Sequence, residues 1–406
     1  MDLKVLYGEN CKIEEKVNRI EKLKQTFLGC EGEKPTHIFS SSGRAEILGN
    51  HTDHNHGLVM VASISCDVIA AVAKRTDGIV KICSEGYPPV QIDIRDLEVK
   101  KEEFGKSDAL ARGVTKAICD RGFKVNGFTA YTTSNIFKGA GVSSSAAFEV
   151  LVAEIYNTLY LDGKLTDIDR AVISQYAENV YFGKPCGLLD QSGISIGSLV
   201  KLDFLKPTEP TVKKLQAPKG YTLVLTNTGG NHAALTEHYA AIRSEMEEVA
   251  SFFGKKVLRD VPKVDFDKML PTLKRRFSGR AILRALHFYQ ENERVIKAEK
   301  ALLGGDTQGF LQAVNDSGRS SLTLLQNCYV PGDVKQPVVL GIEVSRDFIK
   351  DGAVRVHGGG FAGSILAFVS DKEVKGYVNL MKKLFGDNNV FEATVRSVGT
   401  TLVEKI

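Results

Sequence analysis

The chain has 406 residues, of which 43% are hydrophobic and 25% charged, so it can build a hydrophobic core of normal size. Its 53 basic and 49 acidic side chains nearly cancel, and no run of Lys or Arg is long enough to predict a nucleic-acid surface. The seven cysteines are scattered without a CxxC pair, which argues against a disulfide framework and a zinc ribbon. The longest apolar stretch, residues 58–73, contains Ser63, Ser65 and Asp67 and could not span a bilayer. We therefore expect a cytoplasmic protein of two domains.

The predicted elements mix helices and strands without strict βαβ alternation. Apolar residues at helical spacing predict helices over residues 11–28, 146–160, 169–181, 281–303 and 373–385. Runs of β-branched and apolar residues predict strands over residues 59–72, 79–82, 90–94, 221–226, 354–356, 364–368 and 391–398. A polar stretch with two prolines at 206–212 indicates the boundary between one domain of residues 1–205 and another of residues 206–406. The pattern favours an α+β fold over a Rossmann sheet.

The sharpest local feature is the segment KGAGVSSSAA at residues 138–147, where the predicted helix at 146–160 begins. Small residues let a backbone come close to a ligand, and a helix start presents free N–H groups and a positive dipole end. The hydroxyls of Ser143, Ser144 and Ser145 can bond phosphate oxygens or hold a metal ion. The segment is neither a Walker A loop nor GxGxxG. It predicts either a triphosphate site or a glycine turn with serine helix caps.

The segment SGRAEILGNHTDHNHG at residues 42–57 crowds an Arg, an Asp and three His into a short polar stretch. Such a density of hydrogen-bonding groups suits a polyol ligand. Metal binding by His51, Asp53, His54 and His56 is a second interpretation, and a solvated turn without function is a third.

Two further segments bring glycines next to polar side chains. HGGGFAGS at residues 357–364 has consecutive glycines after a predicted strand, which is typical of positive φ or of close backbone approach, with a bulged hairpin as the alternative. GKPCGLLDQS at residues 183–192 places Asp190 near two glycines, where a carboxylate can serve as a base or a metal partner. An Asp that only caps a helix or forms a turn is the commoner interpretation of this second pattern.

Taken together and in this order, the four segments resemble the three motifs of the GHMP kinase superfamily and the catalytic-Asp elbow of its galactokinase branch. Two other regions add to the resemblance. Residues 284–295, with RALH and ENERV, resemble the galactokinase helix pattern RAxHxxxENxRV, and Asn227 with Tyr239 resembles the region that brings a Tyr to the sugar.

This resemblance implies an ATP-dependent sugar 1-kinase, first of all a galactokinase. It also implies the α+β, two-domain GHMP kinase fold with the active site in the interdomain cleft. In the family's terms, Asp190 lies near the sugar O1 as base or negative partner. Arg44 pairs with Asp190, holds it ionised and stabilises charge on the transferring phosphoryl group. Phosphoryl transfer depends on positioning and charge neutralisation, which such groups supply.

The resemblance also implies the ligands of the sugar, the nucleotide and the metal. The implied sugar ligands are Asn50, His51, Asp53, Gly187 and Tyr239. The implied ATP phosphate loop consists of Gly139, Ala140, Gly141, Val142, Ser143, Ser144, Ser145 and Ala146. Mg²⁺ is implied at Ser144 and Glu178. We expect a monomer that binds a small-molecule sugar and neither nucleic acid nor membrane.

The sugar-binding segment departs from the family pattern GEHTDYNxG. It reads GNHTDHNHG, so that Asn50 replaces a carboxylate that would accept a sugar hydroxyl bond, and His54 replaces a Tyr. Smaller departures are Ser42 in place of a Pro and, in the last motif, His357, Ala362 and Ser364. If galactose is the substrate, Asn50→Glu is expected to leave its use unchanged or to improve it.

Three alternatives to a galactokinase stay open. One is a kinase of another hexose, a uronic acid or an aminosugar. A second is a sugar- and ATP-binding sensor without turnover, which would be free to lose Asp190, Arg44 or the serine loop, although all are present. A third, a mevalonate- or homoserine-type substrate, is disfavoured by Asp53 and by the sugar-branch helix pattern.

Overall fold

The computed structural model describes residues 1–9, 11–136, 141–230 and 235–406. Within these ranges the strands form two sheets. The strands are β1 (His37–Leu48), β2 (Leu58–Lys74), β3 (Ile79–Ser84), β4 (Val90–Asp93), β5 (Phe128–Ser134), β6 (Leu199–Asp203), β7 (Thr211–Leu215), β8 (Tyr221–Asn227), β9 (Gly352–His357), β10 (Ser364–Ser370), β11 (Val390–Ala393) and β12 (Thr401–Lys405).

The helices pack around both sheets. They are α1 (Leu3–Tyr7), α2 (Ile13–Glu31), α3 (Ser107–Asp120), α4 (Ser144–Tyr160), α5 (Asp167–Tyr176), α6 (Leu189–Ile196), α7 (Thr236–Phe252), α8 (Lys263–Arg276), α9 (Gly279–Leu303), α10 (Thr307–Ser320), α11 (Pro337–Phe348) and α12 (Val374–Phe385). Two wider π turns, Ala177–Phe182 and Ser321–Leu325, continue α5 and α10. In the part of the chain that the structure describes, no helix combines the length and the apolar character that crossing a membrane requires.

The larger sheet has the strand order β12-β1-β2-β5-β3-β4, and β6 and β7 extend it beside β2. The smaller sheet has the order β11-β8-β10-β9. Helices and mixed sheets together confirm the α+β prediction. Both β7 and β12 follow residue 206 but lie in the larger sheet, so the sheets do not divide at the predicted boundary between residues 205 and 206. The division of the chain into two domains stays a prediction.

Strand β1 carries the first polar residues of the site into the protein interior. It is buried along its whole length, although it lies outside the predicted strands because it contains serines and charged residues. Buried polar groups need hydrogen-bond partners, and these serines have them. Ser40 Oγ donates to Asp67 at 2.5 Å, and Ser42 Oγ lies 2.7 Å from Ser63 Oγ. The satisfied serines let the sheet accommodate a central strand that presents Arg44.

Two predicted elements differ from the structure by more than a shift of a residue or two at their ends. The helix predicted over 169–181 is α-helical only to the end of α5, and the π turn that follows carries Glu178. The strand predicted over 391–398 ends with β11. There the chain leaves the smaller sheet, because Thr394 exchanges backbone and side-chain hydrogen bonds with Ser65 of β2.

Candidate active site

Arg44 on β1 and Asp190 in the first turn of α6 form a bidentate ion pair. Arg44 Nε lies 2.7 Å from Oδ1 of Asp190, and Nη2 lies 2.9 Å from Oδ2. The Arg44 side chain is 7% exposed and that of Asp190 is 35% exposed, so a buried cation holds a carboxylate that solvent can reach. Burial alone would raise the pKa of Asp190, but the charge and hydrogen bonds of Arg44 and the Ser143 hydroxyl lower it below its ordinary value. Asp190 is therefore ionised at neutral pH.

The serine-rich segment is joined to this ion pair. Gly141 and Ser143, just before α4, have φ of 66° and 61°. Ser143 occupies the N-cap position of α4 but makes no capping hydrogen bond, because its hydroxyl donates to Asp190. Arg44 Nη1 donates to the carbonyl oxygen of Gly141. The serine-cap interpretation is therefore wrong for Ser143, and the start of α4 is fixed next to Asp190. Gly139 and Ala140 of the predicted phosphate loop lie outside the described residues.

Glu178 lies against Ser145, not against Ser144. Its carboxylate accepts from Ser145 Oγ at 3.2 Å and from Lys184 Nζ at 3.2 Å. Ser144 is exposed to solvent. Successive residues of an α-helix point about 100° apart, so the residue at which α4 begins decides which serine faces the π turn. The structure thus pairs Glu178 with Ser145, and the role of Ser144 as a Mg²⁺ ligand, which the resemblance implied, stays a prediction.

Behind this pair lies a second carboxylate that the sequence analysis missed. Gln191 Nε2 donates to Glu178 Oε2 at 2.8 Å and to Glu149 Oε2 at 3.3 Å. Glu149 is completely buried, and burial together with the charge of Glu178 raises its pKa well above the ordinary value. Gln191 therefore bridges the two carboxyl groups, and burial disfavours negative charge on the inner one, Glu149. The signal in the sequence is spacing, since Glu149 follows Ser145 by four residues on the same helix face.

His51 and Asp53 form the next part of the site. His51 Nε2 lies 2.9 Å from the carbonyl oxygen of Gly359. Burial lowers the pKa of His51 to about 4. The neutral ring therefore donates from Nε2 and keeps Nδ1 as an acceptor. A Cβ on Gly187 would lie 1.9 Å from Asp53 Oδ2, so only glycine lets this carboxylate lie over the backbone of the segment that leads to Asp190.

Tyr239, on α7, lies on the other side of the glycine-rich turn. Its hydroxyl donates to the carbonyl oxygen of Gly360 at 2.9 Å. A Cβ on Gly359 would lie 2.7 Å from Tyr239 Cε1, so the absence of a side chain lets the ring pack on the turn. The turn at 358–360 thus receives hydrogen bonds from both His51 and Tyr239, which the sequence predicted as sugar ligands.

Helix α9 forms hydrogen bonds with the backbone of the segment at residues 42–57 and with the residue that follows it. Its contacts are hydrogen bonds from His287 Nε2 to the Asn50 carbonyl at 2.9 Å, from the Gly49 N–H to Glu291 at 2.9 Å and from the Leu58 N–H to Asn292 at 2.6 Å. Burial lowers the pKa of His287 to about 4, so the ring is neutral. Its Nε2 donates to the Asn50 carbonyl, and its Nδ1 accepts from the Ser320 hydroxyl. The helix pattern RAxHxxxENxRV therefore fixes the shape of the segment.

Asn50, the remaining predicted sugar ligand, points into the protein. It is completely buried, and its amide bonds to Glu46, Gly358, Ser321 and Asn327. The structure therefore does not place Asn50 beside His51 and Asp53 in the pocket. The metal interpretation of the histidine-rich segment finds no support either, because the described residues contain no group of three His, Cys, Asp or Glu arranged to hold an ion.

Comparison with known proteins agrees with this site. The galactokinase galactose-binding signature matches residues 25–74, and the GHMP kinases N terminal domain matches residues 109–198. The galactokinase of Streptomyces coelicolor is 31% identical over 364 residues, which cover 89% of this chain and 92% of that protein. The chain belongs to the galactokinase family. The galactokinase of Glaesserella parasuis is also similar, with 32% identity over 85% of this chain and 87% of that protein.

Solved structures agree on the fold of this galactokinase family member. The crystal structure of Lactococcus lactis galactokinase complexed with galactose matches with a TM-score of 0.81 at 23% identity, over 95% of this chain and all of that one. The mevalonate kinase of Methanococcus jannaschii matches with a TM-score of 0.63 at 12% identity, over 88% of this chain and 98% of that one. The GHMP kinase fold is therefore confirmed. Membership of the galactokinase family, shown by the sequence relatives, makes the chain an ATP-dependent sugar kinase.

Proposed function

We propose that this kinase transfers the γ-phosphoryl group of ATP to the O1 hydroxyl of galactose with the help of Mg²⁺. One observation carries the proposal: the Arg44–Asp190 ion pair is joined through Ser143 and Gly141 to the start of α4. The carboxylate for the sugar hydroxyl and the helix start for the phosphates are therefore joined by hydrogen bonds into one unit. Such positioning and charge compensation are what phosphoryl transfer requires.

Asp190 and Arg44 have complementary roles in this proposal. The lowered pKa of Asp190 makes it a weak base in the resting site, so it accepts a hydrogen bond from the sugar O1 hydroxyl and orients it. The proton leaves that hydroxyl for Asp190 only as the bond to phosphorus forms. Arg44, held between Asp190 and Gly141, stabilises the negative charge on the transferring group.

His51, Asp53, Gly187 and Tyr239 are the proposed sugar ligands. The support is their geometry: the Asp53 carboxylate lies over Gly187, three residues before Asp190, and the neutral His51 keeps one ring nitrogen as an acceptor. Carboxylate and imidazole acceptors paired with backbone N–H donors suit the alternating hydroxyls of a hexose.

The proposed phosphate site runs from Gly139 to Ala146. Its described part has a left-handed backbone at Gly141, a buried Val142 and the start of α4, whose N–H groups attract phosphate oxygens. Mg²⁺ fits Ser145 with Glu178, because this ion is usually held by one or two protein oxygens and completed by phosphate oxygens and water. When bound, it neutralises charge on the phosphates. A cytoplasmic location and a monomeric state stay predictions from the sequence.

A sugar panel with Mg-ATP and an ADP readout tests the proposal. We expect galactose to give the highest kcat/KM among galactose, glucose, galacturonate and N-acetylgalactosamine, and chelation of the metal to abolish turnover. If the protein phosphorylates another of these sugars but not galactose, it is a sugar kinase and galactose is not its substrate. Binding of sugar and ATP without turnover on any of them would favour the sensor.

Gly187→Ala tests the sugar pocket. The added methyl group would meet Asp53 Oδ2 at 1.9 Å, so the carboxylate must move away from the sugar. We expect the KM for the sugar to rise about tenfold and kcat to change less, as for lost ground-state binding. Gly29→Ala, whose Cβ would meet nothing within 4 Å, is the matched control. A KM equal to that of the wild type would remove Asp53 from the list of sugar ligands.

A further inference from the structure

The amide group of Asn50 is fully used inside the protein. Its Nδ2 donates to Glu46 Oε1 at 2.7 Å and to the Gly358 carbonyl at 2.8 Å. Its Oδ1 accepts from Ser321 Oγ at 3.1 Å and from Asn327 Nδ2 at 2.8 Å. A primary amide has two donor hydrogens and two acceptor lone pairs, so no group is left for a sugar hydroxyl.

Among these contacts, the two made by Nδ2 require an amide at position 50. Both partners, a carboxylate oxygen of Glu46 and the carbonyl of Gly358, are acceptors. A carboxylate in place of Asn50 would face two oxygens without a hydrogen between them, which leaves buried polar groups unsatisfied. The structure therefore predicts a loss of activity for Asn50→Glu, which reverses the expectation drawn from the family pattern.

Glu46 is the carboxylate that Asn50 holds. It follows Arg44 by two residues on β1, so both side chains leave the same face of the strand. Its Oε1 accepts from Asn50 and from Arg355 Nη2 at 3.1 Å. Its Oε2 makes no hydrogen bond with the residues that the structure describes, and the side chain keeps 8% exposure. Burial and the charge of Asp53 raise the pKa of Glu46, and the charges of Arg355 and Arg44 oppose that rise.

We infer that Glu46, not Asn50, supplies the sugar-binding carboxylate of this pocket, and that Asn50 is the positioning residue that orients it. The inference rests on the proposed function, since it names a further ligand of the same sugar. The family pattern has its carboxylate at position 50, whereas this chain has an amide there and a carboxylate four residues earlier. Through Oε2, Glu46 binds one hydroxyl of the hexose.

Glu46→Gln, combined with deoxy sugars, tests this contact. The kcat/KM is measured for galactose and for its four analogues that lack the hydroxyl at C2, C3, C4 or C6. In the wild type, one analogue should be about tenfold worse than galactose because a hydrogen bond to a carboxylate is lost. In the variant, kcat/KM for galactose should be about tenfold lower than in the wild type. The kcat/KM for the same analogue should equal its wild-type value, since the contact is already missing.

The opposite result has a distinct pattern. If Glu46 is only the counter-ion of Arg355, Glu46→Gln lowers kcat/KM for all five sugars by one common factor or leaves all five values unchanged. Either result overturns the inference. Glu154→Gln is the matched control, because Glu154 also binds a buried arginine, Arg170, and an Asn amide, Asn157, but lies in the middle of α4. Wild-type activity on galactose in the same assay tests the proposed function separately. If the wild type prefers another hexose, the same comparison is made with the deoxy analogues of that sugar.

A second pair of variants tests the positioning role and does not depend on a single substitution folding well. Asn50→Asp keeps the shape of the side chain but removes both donor hydrogens, so kcat/KM for galactose should fall about tenfold and the Tm should decrease. Adding Glu46→Gln to Asn50→Asp restores a donor between the two positions, so part of the Tm loss should be recovered, while kcat/KM should stay close to that of Asn50→Asp because the sugar contact is already lost. Strictly additive losses in the double variant would show that the two side chains are not coupled.

Discussion

Asp190→Asn should lower kcat for the sugar at least ~10²-fold while the protein stays folded and still binds ATP. The substitution keeps the size of the side chain but removes the negative charge that Arg44 contacts through two nitrogens. It also leaves the guanidinium, which is only 7% exposed, without its counter-charge. The sugar hydroxyl then has neither an oriented acceptor nor a group to take its proton. Single-turnover kinetics, ATP titration and circular dichroism measure the three quantities.

Asp93→Asn provides the control for this variant. Asp93 also forms a bidentate pair with an arginine, with Nε and Nη2 of Arg95 at 2.8 and 2.6 Å, but the pair lies on the surface. Exposed ion pairs contribute little to stability, and this one lies away from the site. Asp93→Asn should therefore keep the wild-type kcat. If Asp190→Asn retains more than about a tenth of wild-type turnover, Asp190 neither takes the proton nor orients the hydroxyl.

Periodicity alone predicted much of the fold. The long helices α4 and α9 and the strands β2, β8 and β10 carry apolar residues with regular spacing over many positions. Strand β1 escaped prediction, because in a strand that is buried on both faces the serines and charges remove any alternation. Their partners, such as Asp67 for Ser40, are distant in sequence and become visible only when the sheet is assembled.

The site shows the same limit. Motif order indicated which segments meet, and the structure places Arg44 against Asp190 as the family resemblance implied. The direction of each side chain was a different matter. Which of Ser144 and Ser145 contacts Glu178 depends on the residue at which α4 begins. The inward position of Asn50 depends on Glu46 and on residues more than 250 positions away. A motif defines which residues are near a ligand, but packing decides which of them can touch it.

Gly141→Val should weaken ATP binding by one to two orders of magnitude and lower kcat/KM for ATP accordingly. Gly141 has φ of 66°, a conformation that β-branched residues adopt only under strain. The segment must therefore shift, although the Cβ itself would find ordinary contacts at 3.7 Å from His357 and 3.9 Å from Ser364. A shift moves the Gly141 carbonyl away from Arg44 and displaces the start of α4, where the phosphates bind.

The control for this last variant separates backbone strain from loss of the phosphate site. Gly254 has nearly the same φ, 69°, and a Cβ there would meet nothing within 4 Å. Gly254→Val should therefore lower the Tm by a similar amount and leave ATP affinity unchanged, because its strain is relieved far from the ion pair. Calorimetry gives the affinity of Mg-ATP for both variants. Equal affinities in Gly141→Val and the wild type would show that residues 141–146 only begin a helix and that ATP binds elsewhere.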